Sequence, residues 1–243
     1  MNLYAAPYFN RPYQDSDHLS MAVRCINNNK YLIYRPNHGL AHSARQGFLA
    51  LEVANILLRN PKLRLHNWIC NRIKNDEKFL TKLYILSSFQ RSGRQSEISS
   101  SGDPLLYASY QESDVRNFQE SVDLEYFCCK NEIAKWSQAL RWGDGGCLGD
   151  IIQSAHLLDL RRITKFDPIR IKNNISDILH IDVNSKEMNI LWQRSGQYLA
   201  ISGDRDLVSK KDFWSNRFYT LQQNPEKLYY RLLSNYREHY TNF

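Results

Sequence analysis

The chain has 243 residues, 42% of them hydrophobic and 23% charged, the profile of one ordinary globular domain with enough chain to bury roughly 70–75% of its unfolded surface. A solvated tail or a peptide hormone is excluded; no apolar run approaches the roughly 20 residues of a membrane-spanning helix, and Met1-Asn2-Leu3-Tyr4 lacks the basic-then-apolar order of a secretory signal. With 32 basic and 25 acidic residues the net charge is +7, which suits an anionic partner such as phosphate, nucleotide or an acidic protein face, and equally suits a merely soluble basic surface.

In chain order, residues 1–30 read as an irregular lead-in rich in Asn, Pro and Tyr. Tyr31-Leu32-Ile33-Tyr34 then meets Pro36 and Gly39, an extended segment turning into a helix predicted over 40–59. Leu40, Ala44, Phe48, Leu51, Ala54, Ile56 and Leu58 recur there at spacings near three and four, which predicts one buried face. Further helical patterns fall at 64–74, 76–90, 105–118, 124–141 and 147–163, the last introduced by Gly143, Gly145, Gly146 and Gly149.

Polar stretches at 92–104 and 173–186 are expected to be loops rather than domain linkers, because neither is long or of low complexity. Met188 to Trp192 and Gly196 to Ile201, with apolar alternation about Ser195-Gly196, suggest a small β-hairpin near 188–201. Residues 210–239 return to helical spacing through Phe213, Phe218, Leu221, Leu228, Leu232 and Tyr236. The expectation is a mainly α, single-domain chain over 1–243. Its five cysteines, Cys25, Cys70, Cys128, Cys129 and Cys147, form no C-x-x-C pair and no regular framework, which fits a reducing compartment.

Three segments place ionisable groups together. In the first, Arg35-Pro36-Asn37-His38-Gly39-Leu40-Ala41-His42, His38 and His42 are four apart and Arg45 follows three later, so a helix beginning by His38 aligns all three. Such a cluster fits phosphate; it also fits a metal, or a helix start decorated for capping. The second, Arg91-Ser92-Gly93-Arg94 followed by Glu97, reads by itself as a solvated loop with an ion pair. In the third, Gly149 to Arg162, Ile151, Ile152, Ala155 and Leu158 make a helical stripe with His156 beside it. A histidine on such a helix is commonly a hydrogen-bonded core residue, but Arg161 and Arg162 follow closely, and Lys165, Arg170 and Lys172 continue the basic tract.

No histidine is directly followed by aspartate, as a metal-dependent HD phosphohydrolase requires, and there is no H-E-x-x-H, Walker lysine loop or G-x-S-x-G. What remains is a metal-free phosphoryl-transfer set. One histidine would attack phosphorus, one would manage the leaving-group proton, a carboxylate would fix an imidazole tautomer, and arginines would hold phosphate oxygens.

Taken together, Arg35-Pro-Asn-His-Gly-Leu-Ala-His42 with Arg45, Arg91-Ser-Gly-Arg94 with Glu97, and His156 with Asp159 and Arg161/Arg162 resemble the phosphodiesterase domain of the SidE family of bacterial effectors. The likeness spans about 31–165, with 166–243 left as a C-terminal helical part and no match seen for 1–30 or 180–243. It implies a mostly helical, metal-independent domain without a cofactor that cleaves the phosphodiester of ADP-ribosylated or phosphoribosyl-linked ubiquitin or protein, as the stand-alone deubiquitinases of that family do. By motif matching, His38 is the nucleophile that forms a transient phosphoramidate, Glu97 orients an imidazole, and His156 is general acid and then base. His42, Arg45, Arg35, Arg91, Arg94, Arg161 and Arg162 are the implied phosphate contacts. No nucleic-acid partner and no membrane insertion follow, and the implied destination is a host cytosol. The chain lacks any Glu-x-Glu pair, so ADP-ribosyltransferase chemistry and an NAD requirement are not expected. A degenerate, non-catalytic binder of nucleotide or ubiquitin is the alternative.

Overall fold

A computed structural model describes residues 40–76, 79–89, 146–163, 166–202 and 225–241. Every regular element among them is a helix: α1 (Leu40–Arg59), α2 (His66–Asn75), α3 (Phe79–Phe89), α4 (Gly146–Leu160), α5 (Pro168–Leu179), α6 (Lys186–Ser202) and α7 (Pro225–Thr241). The mainly α expectation holds. The lead-in, the extended segment at 31–34, the loop at 92–104 and the helices at 105–118 and 124–141 lie outside the described residues. Among the described residues no helix is long and apolar enough to cross a membrane.

The expectation of one buried face on α1 is corrected by its surroundings. From Ala41 to Leu58 nearly every described side chain is buried, including Ala44, Phe48, Leu51, Val53, Ala54 and Leu57, because α2, α3, α4, α6 and α7 all pack on α1. A helix buried on all sides belongs at the centre of a bundle. Phe48 shows how the neighbours converge: its ring centroid lies 4.9 Å from that of Tyr84 on α3, 6.0 Å from Tyr198 on α6 and 5.7 Å from Tyr236 on α7. Gly47 sets the approach of α3, since a Cβ there would stand 2.3 Å from Ser88 Oγ and 2.7 Å from the Tyr84 ring.

Two further readings are corrected. The loop expected at 173–186 is in its first half α5, which Asp167 caps by accepting from Ile169 N at 2.9 Å with Pro168 next. Asn173, Asn174, Ser176 and Asp177 made the stretch look irregular, but they decorate the outside of a helix whose buried stripe is Ile171, Ile175 and Leu179. His180, in the left-handed conformation with φ 53°, ends it. The hairpin expected near 188–201 is also helix. Met188, Leu191, Ser195, Tyr198, Leu199 and Ser202 are its buried side, a period of three and four rather than two. Gly196 is no turn; it leaves room for the Arg161 guanidinium, whose Nη1 would be 3.0 Å from a Cβ at that position.

The inner ends of α6 and α7 are tied to α1 by a buried charge pair. Arg194 Nε donates to Glu52 Oε1 at 2.8 Å, and Tyr198 OH donates to the same oxygen at 2.5 Å. The rest of the guanidinium is spoken for by Gln197 Oε1 at 2.5 Å, Asn235 Oδ1 at 3.0 Å and Tyr198 OH at 2.9 Å. One turn along α1, Asn55 Nδ2 donates to Tyr236 OH at 2.9 Å. Among the described residues Glu52 and Arg194 form the ion pair here, with His239 near enough to feel both charges.

Candidate active site

The opening turns of α1 and the closing turns of α4 bring together residues more than a hundred positions apart. Spacing within each helix makes this possible. His42 and Arg45 are three apart on α1, and His156 and Asp159 are three apart on α4, so each pair shares a face. Asp159 is the junction. Its Oδ2 lies 2.7 Å from His42 Nδ1, its Oδ1 accepts from Arg45 Nε at 2.6 Å, and Arg162 Nη1 stands 3.4 Å from Oδ2. Arg45 Nη1 continues to Ser202 Oγ, 2.9 Å away at the end of α6. The His156 ring meets the His42 ring edge-on, with centroids 5.6 Å apart and planes at 83°.

Burial decides the electrostatics, for His42 is 2%, Arg45 1%, Asp159 0% and Arg162 3% exposed. Desolvation pushes the His42 pKa down to about 4; its hydrogen bond and attraction to Asp159 oppose this, while Arg162 and Arg45 add to it. For Asp159 burial acts upward but is outweighed by Arg45 first, then Arg162 and His42, which hold the carboxyl well below the ordinary range. The cluster is therefore an ionised carboxylate between two guanidiniums, with a neutral imidazole on it. Among the described residues no three His, Cys, Asp or Glu side chains are grouped as metal ligands.

Of the residues expected from sequence, His42, Arg45, His156 and Arg162 come together. Arg161 turns elsewhere: it stacks over the Trp192 ring at 4.4 Å and donates through Nη1 to Trp192 O, fastening α4 to α6. His38, Glu97, Arg35, Arg91 and Arg94 lie outside the described residues. Asp159 belonged to the motif without a role, although its position three residues past His156 was the available signal. Ser202 carried no sequence signal at all, being linked to the site only through a contact 157 positions distant.

The chain matches the SidE phosphodiesterase (PDE) domain over residues 12–208. That match runs past the 31–165 interval carried by the motifs, into both the N-terminal lead-in and the region beyond 180. The C-terminal domain of lpg1496 from Legionella pneumophila, solved in complex with nucleotide, is similar in fold, with a TM-score of 0.59 and 19% identity over 82% of this chain and 75% of that one. No protein of curated function matches the chain.

Proposed function

Because the chain belongs to the SidE phosphodiesterase domain family, we propose that it is a metal-independent phosphodiesterase acting on ADP-ribosylated or phosphoribosyl-linked ubiquitin or protein. The observation that carries the reading is the paired imidazoles of His42 and His156, 5.6 Å apart beside two buried arginines on Asp159. A phosphodiester is an anion, and among the described residues two guanidiniums stand against one carboxylate where it would sit.

In this proposal a ring nitrogen of His38 forms a bond to phosphorus as the bond to the leaving oxygen breaks, that of AMP in ADP-ribosylated ubiquitin or of the linked serine in phosphoribosyl-linked protein, and His156 gives that oxygen its proton. The phosphoramidate on His38 is then discharged by water or a serine hydroxyl, which returns a proton to His156 as the P–N bond breaks. Glu97 orients an imidazole, and Arg35, Arg91 and Arg94 join the positive wall supplied by Arg45 and Arg162. The family and its Legionella neighbour support delivery of such a protein as a bacterial effector into a host cytosol.

The second reading, a non-catalytic binder of nucleotide or ubiquitin, is favoured by one observation: the neighbour of similar fold was solved with nucleotide. Incubation with ADP-ribosylated ubiquitin, with and without chelator, separates the two. Release of AMP at equal rates in both is expected. Binding of AMP or ADP-ribose with no AMP released establishes the binder, and loss of turnover in chelator with recovery in a divalent ion assigns the site to metal-dependent chemistry.

A further inference from the structure

We infer that Asp159 is a positioning residue of this site: clasped by Arg45 and Arg162, it holds His42 in the tautomer with hydrogen on Nδ1 and a lone pair on Nε2, so that His42 stands as a neutral acceptor beside His156. The catalytic consequence rests on the phosphodiesterase reading above; the tautomer does not.

Hydrogen-bond chemistry gives the first step. A carboxylate can only accept, so the 2.7 Å contact between His42 Nδ1 and Asp159 Oδ2 requires the hydrogen on Nδ1. With Nδ1 carrying it, a neutral ring has its lone pair on Nε2. Charge gives the second step. Among the described residues the charged groups that bear on His42 are Asp159 and Arg162 from the α4 side and Arg45 from α1, while α6 contributes the uncharged Ser202. A proton on His42 would be a third positive charge about one buried carboxylate. The ring stays neutral.

The orientation is held from further back. Ser202 Oγ donates to Leu199 O at 3.0 Å and accepts from Arg45 Nη1 at 2.9 Å, which leaves Arg45 Nε aimed at Asp159 Oδ1. Asp159 is thus held on Oδ1 by Arg45 and presents Oδ2 to His42. The neutrality of His42 matters to its neighbour. A positive charge 5.6 Å from His156 would disfavour a proton there by roughly a hundredfold at an effective dielectric of about 20. Burial and the two guanidiniums keep His42 uncharged against the pull of Asp159, which fixes only the tautomer, and this leaves His156 able to carry the proton that AMP departure needs. His42 then serves as an acceptor rather than as the phosphate contact its motif position implies.

The test uses the full chain labelled with 15N at histidine, with His42 assigned by its loss in His42→Gln. Long-range 1H–15N spectra at about pH 7 are expected to show His42 neutral with its proton on Nδ1. In Asp159→Asn the side-chain amide can donate to Nδ1, so the proton is expected to move to Nε2, with kcat for AMP release falling a hundredfold or more and KM little changed, as for other carboxylates that fix a catalytic tautomer. Ser202→Ala should keep the tautomer and lose only a few-fold in kcat. An imidazolium or an Nε2–H ring in the unmodified protein overturns the inference, as does a folded Asp159→Asn protein with unchanged tautomer and kcat. If Asp159→Asn does not fold, the spectrum of the unmodified chain decides alone. Absence of turnover by the unmodified chain on both ADP-ribosylated ubiquitin and phosphoribosyl-linked protein defeats the phosphodiesterase reading while the tautomer measurement stands.

Discussion

Two buried charge clusters sit on the same helix, seven residues or about 10 Å apart along α1, and they are built differently. Around Glu52 one carboxylate meets one guanidinium, and Arg194 directs its hydrogen bonds to Glu52, Gln197, Tyr198 and Asn235. Around Asp159 two guanidiniums share one carboxylate and an imidazole hangs from it, edge-on to a second imidazole. The first is charge-balanced and ties three helices together. Among the described residues the second carries two guanidiniums on one carboxylate and two imidazoles, the composition expected where an anion is processed. Burial and connectivity alike fail to separate them; charge balance and residue type do.

The sharpest way to break this contrast is to strip each cluster of one member. His156→Gln is expected to lower AMP release by roughly two to four orders of magnitude, the range of a general acid–base group, with little change in the denaturant midpoint. Arg194→Met should do the reverse. Leaving Glu52 buried without its partner is expected to cost about 3–5 kcal/mol in chemical denaturation, while the folded fraction keeps its turnover. Equal loss of activity from both variants would erase the distinction between the clusters.

Acid sharpens the comparison next. The folded value of His42, about 4, lies below its unfolded value of 6.5, so the unfolded chain takes up a proton first as pH falls. Stability from this neutral histidine is fully present above 6.5 and declines between 6.5 and 4 by about 3 kcal/mol. His239, whose pKa is lowered chiefly by burial and then by Arg194, adds in the same direction. Asp159, held below its ordinary value, contributes stability above the unfolded carboxylate range that is lost only as pH falls further. Urea midpoints at pH 7.5, 5.5 and 4.5 are expected to drop steeply, and more gently in His42→Gln; a profile identical in the two would mean that the histidine is not buried neutral.

The smallest effect is steric. Gly47→Ala places a methyl group against Ser88 and Tyr84, between the two clusters, and should cost about 1–3 kcal/mol by overpacking. The histidine tautomers should be unmoved, which a 15N spectrum of the variant checks.

Much of this was legible in the residues. Leu40–Arg59 is a helix with the predicted bounds because apolar spacing, Gly39 before it and Pro61 after it agree. Residues 64–74, 76–90 and 147–163 were displaced by one to three positions at their ends, where capping rather than period decides. The misread segments have different causes. In α5 the polar residues between Ile171 and Leu179 outvoted a stripe at spacing four, and in α6 Gly196 looked like a turn while its role was to admit Arg161 from α4. Tertiary demands of that kind leave no local trace. The same holds at the site: His42, Arg45 and His156 could be singled out by motif, whereas the part played by Ser202 depends on where α6 ends relative to α1.

The complete burial of α1 also bears on how the chain comes to be folded. Glu52 must find Arg194 across 142 residues, and Arg45 must find Ser202 across 157. At about 5–20 residues per second, synthesis takes roughly 7–30 s to supply those partners. Until then α1 can be covered by α2, α3 and α4 but lacks α6 and α7, and Glu52 waits for Arg194. A nascent chain halted before α6 therefore leaves part of α1 uncovered and Glu52 without Arg194, the kind of exposed surface that favours aggregation over folding.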